Sequence, residues 1–139
     1  MAPLERRKVV SSFIRHDGRL LLLKRSENVG TYQGKWGIAA GHVEPEDTSM
    51  EARARIEIEE ELGIPRDTPV LVKSGESLVL DDHDIGISWE IHPFLFDVPS
   101  DEITLDWEHT DYRWIDPSEL SSHDIVPMLD RSLETVWPQ

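Results

Sequence analysis

Between Gly41 and Ile64 the chain reads GHVEPEDTSMEARARIEIEEELGI, and no other stretch limits the fold so tightly. Met50, Ala54, Ile58 and Leu62 recur at every fourth residue, which lays an apolar stripe along one side of a helix. Glu57, Glu60 and Glu61 are spaced i, i+3, i+4 and share another face. Thr48-Ser49-Met50-Glu51 fits a capping box with Thr48 at the N-cap. Gly63 fits the left-handed stop, and Pro65 prevents continuation. The chain must therefore hold a helix packed on one side and acidic on another. Like charges at this spacing destabilise a helix, and a bound cation relieves them. Hard oxygen ligands on a rigid element suit Mg²⁺ or Mn²⁺. The plainer alternative is a solvated acidic face.

The flanking sequence predicts strands. Lys8–Arg15 and Arg19–Lys24, joined at His16-Asp17-Gly18, make a hairpin. Ser26–Gly34 is a polar loop and Lys35–Val43 a short strand. Further strands are expected over Val70–Leu80 and Ile85–Val98, with a turn at Asp81–Asp84, and over Tyr112–Ile115. In the run from Ile85 the apolar parity switches at His92-Pro93, which predicts a bulge or a sheet edge there. Asp124–Val136 reads as a final helix with Ile125, Leu129, Leu133 and Val136 on one side. This order gives an α/β protein, a mixed β-sheet flanked by helices. The 139 residues suit one domain, spanning 1–139.

Composition excludes several functions. The sequence has no cysteine, so disulfides and thiolate metal sites are ruled out. That fits a cytoplasmic protein. The six histidines show no paired ligand spacing, which argues against zinc. His83 and His109 are expected in loops. A net charge of −14 argues against binding long nucleic acid through a basic face, yet allows a small phosphorylated ligand. No signal peptide or membrane span is apparent, and neither a P-loop nor a nucleophile elbow is present.

The stretch from Gly41 resembles the Nudix box of the Nudix (MutT-like) hydrolases, G-x5-E-x7-R-E-U-x-E-E-x-G-U with U aliphatic. Glu57, Ile58, Glu60, Glu61, Gly63 and Ile64 fit its second half. Asp47 stands for the earlier glutamate. One extra residue follows, placed in the loop around Glu46–Ser49, so that the arginine position falls on Ile56 and Arg55 is one step off. Arg53, four residues before Glu57, is a candidate to substitute in part through an i, i+4 pair, and Arg55 is the alternative. Leu20–Arg25, Gly34–Gly41 and Tyr112–Leu120 also resemble family segments, so the likeness covers nearly the whole chain.

The resemblance implies an α/β/α sandwich and hydrolysis of a nucleoside diphosphate linked to a group X. The substrate would be a (d)NTP, a nucleotide sugar or a dinucleotide. It implies Mg²⁺ or Mn²⁺ held by Glu57, Glu60, Glu61, the Ala40 carbonyl and Glu108, with one glutamate open to serve as base. Asp47 either contributes there or stiffens the loop. Gly41 and Arg53 support the glutamates, and Glu44 sits at the pocket rim. Arg25 and Lys35 are candidates for phosphate oxygens, or ordinary surface charges, with Trp36 beside the site. Trp89, Trp107 and Tyr112 are candidates to stack a base, or core residues. A Nudix-fold binding module without efficient turnover is the alternative, motivated by the displaced arginine. An isoprenoid diphosphate isomerase lacks its cysteine nucleophile here. Family members often dimerise, and no segment declares an interface.

Overall fold

Leu20 to Leu23 are four consecutive leucines, a run that suits a strand covered on both faces. In the computed structural model, which describes residues 3–138, Leu20 and Leu22 enter one core and Leu21 and Leu23 another. They belong to β2 (Arg19–Arg25), which follows β1 (Glu5–His16). Asp17 and Gly18 both have positive φ between the two strands, the turn that matches strand twist. The hairpin pairs only at Arg15–Leu20 and His16–Arg19 before the strands diverge.

The gap between them is filled by a later segment. β3 (Trp36–Gly37) pairs with Leu23 and Lys24 of β2, and β4 (Ala39–His42) pairs with Val9–Ser12 of β1. The single strand expected over Lys35–Val43 thus breaks at Ile38, where it changes partner. The other edge of β1 pairs in parallel with β7 (Ile87–Asp97) along eleven residue pairs, and β8 (His109–Ile115) pairs with β2. The sheet is mixed, as expected.

α1 (Met50–Leu62) covers one face, with Ala54, Ile58 and Leu62 fully buried and Met50 packed against the same core. Its N-cap is Ser49, whose side chain accepts from Ala52 N, and not Thr48. Gly63 is left-handed as expected (φ 73°), and its N–H reaches Glu59 O. The opposite face is covered by α2 (Leu129–Val136) and a 3₁₀ turn, Pro117–Ser122. α2 begins at Leu129 instead of Asp124. Asp124 O and Val126 N are already committed to Trp36 in an extended bridge, and Pro127 and left-handed Met128 follow. Among the described residues no helix is long and apolar enough to cross a membrane.

The strand expected over Val70–Leu80 is two, β5 (Val70–Ser74) and β6 (Leu78–Asp82), both antiparallel to β7. The break falls opposite Pro93. β6 pairs up to Ile91, β5 begins at Phe94, and Gly75 N donates to Pro93 O. The missing proline N–H thus faces the seam between two partners, in an interior strand. There is no bulge at His92-Pro93; the ladder irregularity lies in β5, between Leu71 and Lys73. The parity switch has another cause. Ile87, Trp89, Ile91 and Leu95 point to one face throughout, and Phe94, Phe96 and Val98 fill the other where α1 covers it.

Candidate active site

α1 crosses β4 so closely that a side chain at Gly41 has no room: a Cβ there would run into the Glu57 carboxylate. This contact sets the depth of the acidic face. Glu60 is exposed, Glu57 is half-buried and Glu61 is buried, 1% accessible. Arg53 holds the group together. Its Nε and Nη2 donate to the two carboxylate oxygens of Asp47 at 2.9 and 2.8 Å, and its Nη1 donates to Glu57 at 3.3 Å. Asp47 in turn accepts from Glu44 N at 2.7 Å, closing the turn before the helix. Asp47 therefore stiffens the loop, and Arg53 ties that loop to the helix. Its bonds to Arg53 and Glu44 hold the Asp47 carboxyl below its usual range. Arg55 points elsewhere, to Glu51 and to the carbonyls of Arg66 and Pro69.

Burial pushes Glu61 well above the usual carboxylate range, reinforced by the charges of Glu108 and Glu57. Glu57 is raised by burial, partly offset by hydrogen bonding with Glu61. Glu108 is raised by burial and by Asp106. Glu61 Oε2 is buried without a partner. His109, expected in a loop, opens β8 in the interior, its Nε2 3.8 Å from Glu61 Oε1. Its Nδ1 also lacks a hydrogen bond, and burial lowers its pKa. Among the described residues no three Asp, Glu, His or Cys side chains stand close enough together to enclose a metal as they are. The donor set itself fits a hard cation: carboxylate oxygens, one orphaned and buried, with the chain at Ala40 beside them.

Of these groups, Glu44, Glu57 and Glu108 line one cavity of about 400 Å³. One end is lined by Ala40, Gly41, Glu44, Glu57, Glu108 and Arg25, the other by Val9, Tyr32, Leu80, Trp89 and Ile91. Trp107, 65% exposed, stands at the lining.

A model of the NUDIX domain matches residues 5–135. The chain belongs to the Nudix family. This makes it a pyrophosphohydrolase acting on nucleotides. The nucleoside triphosphatase NudI of Escherichia fergusonii is 33% identical over 131 residues, covering 88% of this chain and 90% of that protein. NudI of Salmonella typhimurium strain LT2 is 32% identical over 130 residues, with 88% and 90% covered. Among solved structures, the MutT protein from Methanosarcina mazei Go1 superposes with a TM-score of 0.76 at 25% identity, covering 96% of this chain and 94% of that one. A MutT NUDIX hydrolase from Burkholderia pseudomallei gives 0.76 at 27%, covering 94% and 98%.

Against this Nudix frame, two expected substrate contacts are corrected. Lys35 is drawn to Asp124, 2.9 Å away, and does not line the cavity. Trp36 is 9% exposed in the core under α2, with Arg113 over its ring at 4.8 Å. Arg25 does line the cavity, where its Nε and Nη2 donate to Thr31 O at 3.0 and 2.9 Å. Trp89 and Trp107 line it, whereas Tyr112 is exposed on β8 outside it. Sequence reasoning missed Tyr32. A tyrosine in a polar loop carries no periodic signal, and only the fold brings it to Trp89.

Proposed function

We propose that the chain is a Mg²⁺-dependent nucleoside triphosphate pyrophosphohydrolase, with Mn²⁺ able to replace Mg²⁺. One observation carries the reading: a single cavity has the carboxylates of Glu44, Glu57 and Glu108 at one end and aromatic and aliphatic walls at the other. The names of the NudI relatives favour a nucleoside triphosphate over a nucleotide sugar or dinucleotide.

Glu57, Glu60, Glu61 and Glu108, with the Ala40 carbonyl, would hold the metal. Bound there, it would neutralise phosphate charge and lower the pKa of water. The protein's own residues do the rest. Asp47, Arg53 and Gly41 fix Glu57 by a salt-bridged turn and a close backbone approach. Arg25, whose Nε and Nη2 make three bonds to Thr31, keeps Nη1 for a phosphate oxygen. One glutamate of the cluster takes the proton of the attacking water. Arg53, 3.3 Å from Glu57, supports turnover over the binding module that the displaced arginine motivated. The absence of cysteine supports a cytoplasmic setting.

The test is turnover of a panel of (d)NTPs, nucleotide sugars and dinucleoside polyphosphates with Mg²⁺ or Mn²⁺, with products separated by chromatography beside Glu60→Gln. Turnover of triphosphates that the variant loses supports the reading. Turnover confined to another class refutes the substrate, and binding without turnover refutes the enzyme.

A further inference from the structure

Tyr32 sits in the Ser26–Gly34 loop with φ of +50°, a conformation a bulky side chain adopts only when its surroundings hold it. What holds it is a relay through three elements. Trp89 Nε1 on β7 donates to Tyr32 Oη at 3.0 Å, and Tyr32 Oη donates to Asp82 Oδ2 on β6 at 2.7 Å. The second oxygen of Asp82 accepts from Asp84 N at 3.1 Å, so the carboxylate is fixed by the turn after β6. Burial and Asp82 keep the phenol protonated, with its pKa pushed up to about 12. The residue before Tyr32 is fixed too, through the two bonds from Arg25 to Thr31 O. The loop is therefore pinned at neighbouring residues, one bond set reaching the carboxylate end of the cavity and the other the aromatic end.

Tyr32 and Trp89 both line the cavity, with ring centroids 6.3 Å apart and planes tilted by 45°. They form a bent aromatic wall. Their polar atoms are spent on each other and on Asp82. The two side chains thus offer ring surface and no free hydrogen-bonding group of their own, with the Arg7 guanidinium lying over the Trp89 ring at 5.7 Å. We propose that Tyr32 and Trp89 are the nucleobase wall of this enzyme, and that Asp82, which does not line the cavity, is a positioning residue that sets the wall through Tyr32. The inference rests on the nucleotide reading above. It makes base recognition at this wall a matter of stacking, which every base can supply, and not of reading a base edge.

The experiment measures KM for a nucleoside triphosphate and Ki for inorganic tripolyphosphate as a competitor, with thermal unfolding as the folding check. The first requirement is wild-type turnover of the nucleotide, and its failure would sink the nucleotide reading itself. Given that turnover, Tyr32→Leu is expected to raise KM about tenfold, the loss of one stacked base. Asp82→Ala is expected to raise it several-fold and Asp82→Asn, whose amide oxygen still accepts from Tyr32, to restore it. The tripolyphosphate Ki should hardly move in any of them. An unchanged KM in folded Tyr32→Leu, or KM and Ki rising together, would overturn the proposal. If Asp82→Ala fails to fold, Tyr32→Phe, which breaks both bonds and keeps the ring, supplies the same comparison.

Discussion

The carboxylate end of the cavity takes most of its parts from one short run of sequence, joined by Arg25 and Glu108, and the aromatic end is assembled wholly from pieces far apart. Gly41, Glu44, Asp47, Arg53, Glu57 and Glu61 lie within 21 residues, on the end of β4, one loop and one helix. Tyr32, Asp82 and Trp89 come from a loop and two strands. Helix periodicity fixes the relative spacing of Arg53, Glu57 and Glu61, and the close contact of the helix with Gly41 sets their depth. The aromatic end exists only once the sheet has formed. The difference predicts that the two ends fail separately: substitutions at the first lower kcat, those at the second raise KM.

The sharpest way to break this separation is Glu57→Gln. Loss of an ionised group facing the reacting phosphates is expected to lower kcat by about 10²–10³-fold with little change in KM. Steady-state kinetics with Mg²⁺ decides it, and a rise in KM alone would merge the two ends. Gly41→Ala should follow, with about 10²-fold in kcat, because its Cβ must displace the Glu57 side chain. Arg53→Ala is expected to weaken metal binding by about 10–100-fold, as loss of an outer-shell partner does. Calorimetry with Mn²⁺ reads this directly. Adding Ile56→Arg to that variant, which restores an arginine beside Glu57, should recover part of the loss.

A smaller effect is pH-dependent. Glu57, Glu61 and Glu108 bind protons more tightly in the fold than in the unfolded chain, chiefly because burial opposes their charge. Their contribution to stability is therefore full below the ordinary carboxylate range and is lost as pH rises through the raised values. Asp47, Glu90 and Asp116 are lowered and act oppositely, losing their contribution as pH falls below that range. Tm without metal should fall from weakly acidic toward neutral pH. Mg²⁺ should raise Tm more at about pH 8 than at about pH 6, since it binds the ionised form. The smallest effect expected is Lys35→Ala. An exposed pair with Asp124 is worth about 0–1 kcal/mol, and KM should not change.

The same contrast explains what could be read from sequence. The helix, its stop at Gly63, its buried stripe and the pairing of Arg53 with Glu57 follow from local spacing, and only the N-cap moved by one residue. The strands were legible where one partner served a whole run. They were not where partners change, at Ile38 and opposite Pro93, since the switch is a property of the sheet. Lys35 and Trp36 were misplaced for a related reason. Nothing in their neighbourhood announces that Asp124–Val126 will return to bind the backbone of Trp36.

The fork between β1 and β2 also bears on how such an enzyme changes its substrate. The loop from 26 to 34 leaves β2 and returns into the same gap, with Arg25 N bonded to Lys35 O and Gly34 N to Arg25 O. Its two ends are clamped side by side in the sheet, so a longer or shorter loop can be installed at little entropic cost and without shifting α1. The fork is a socket: catalytic parts stay in the frame, and specificity can be exchanged as a cartridge.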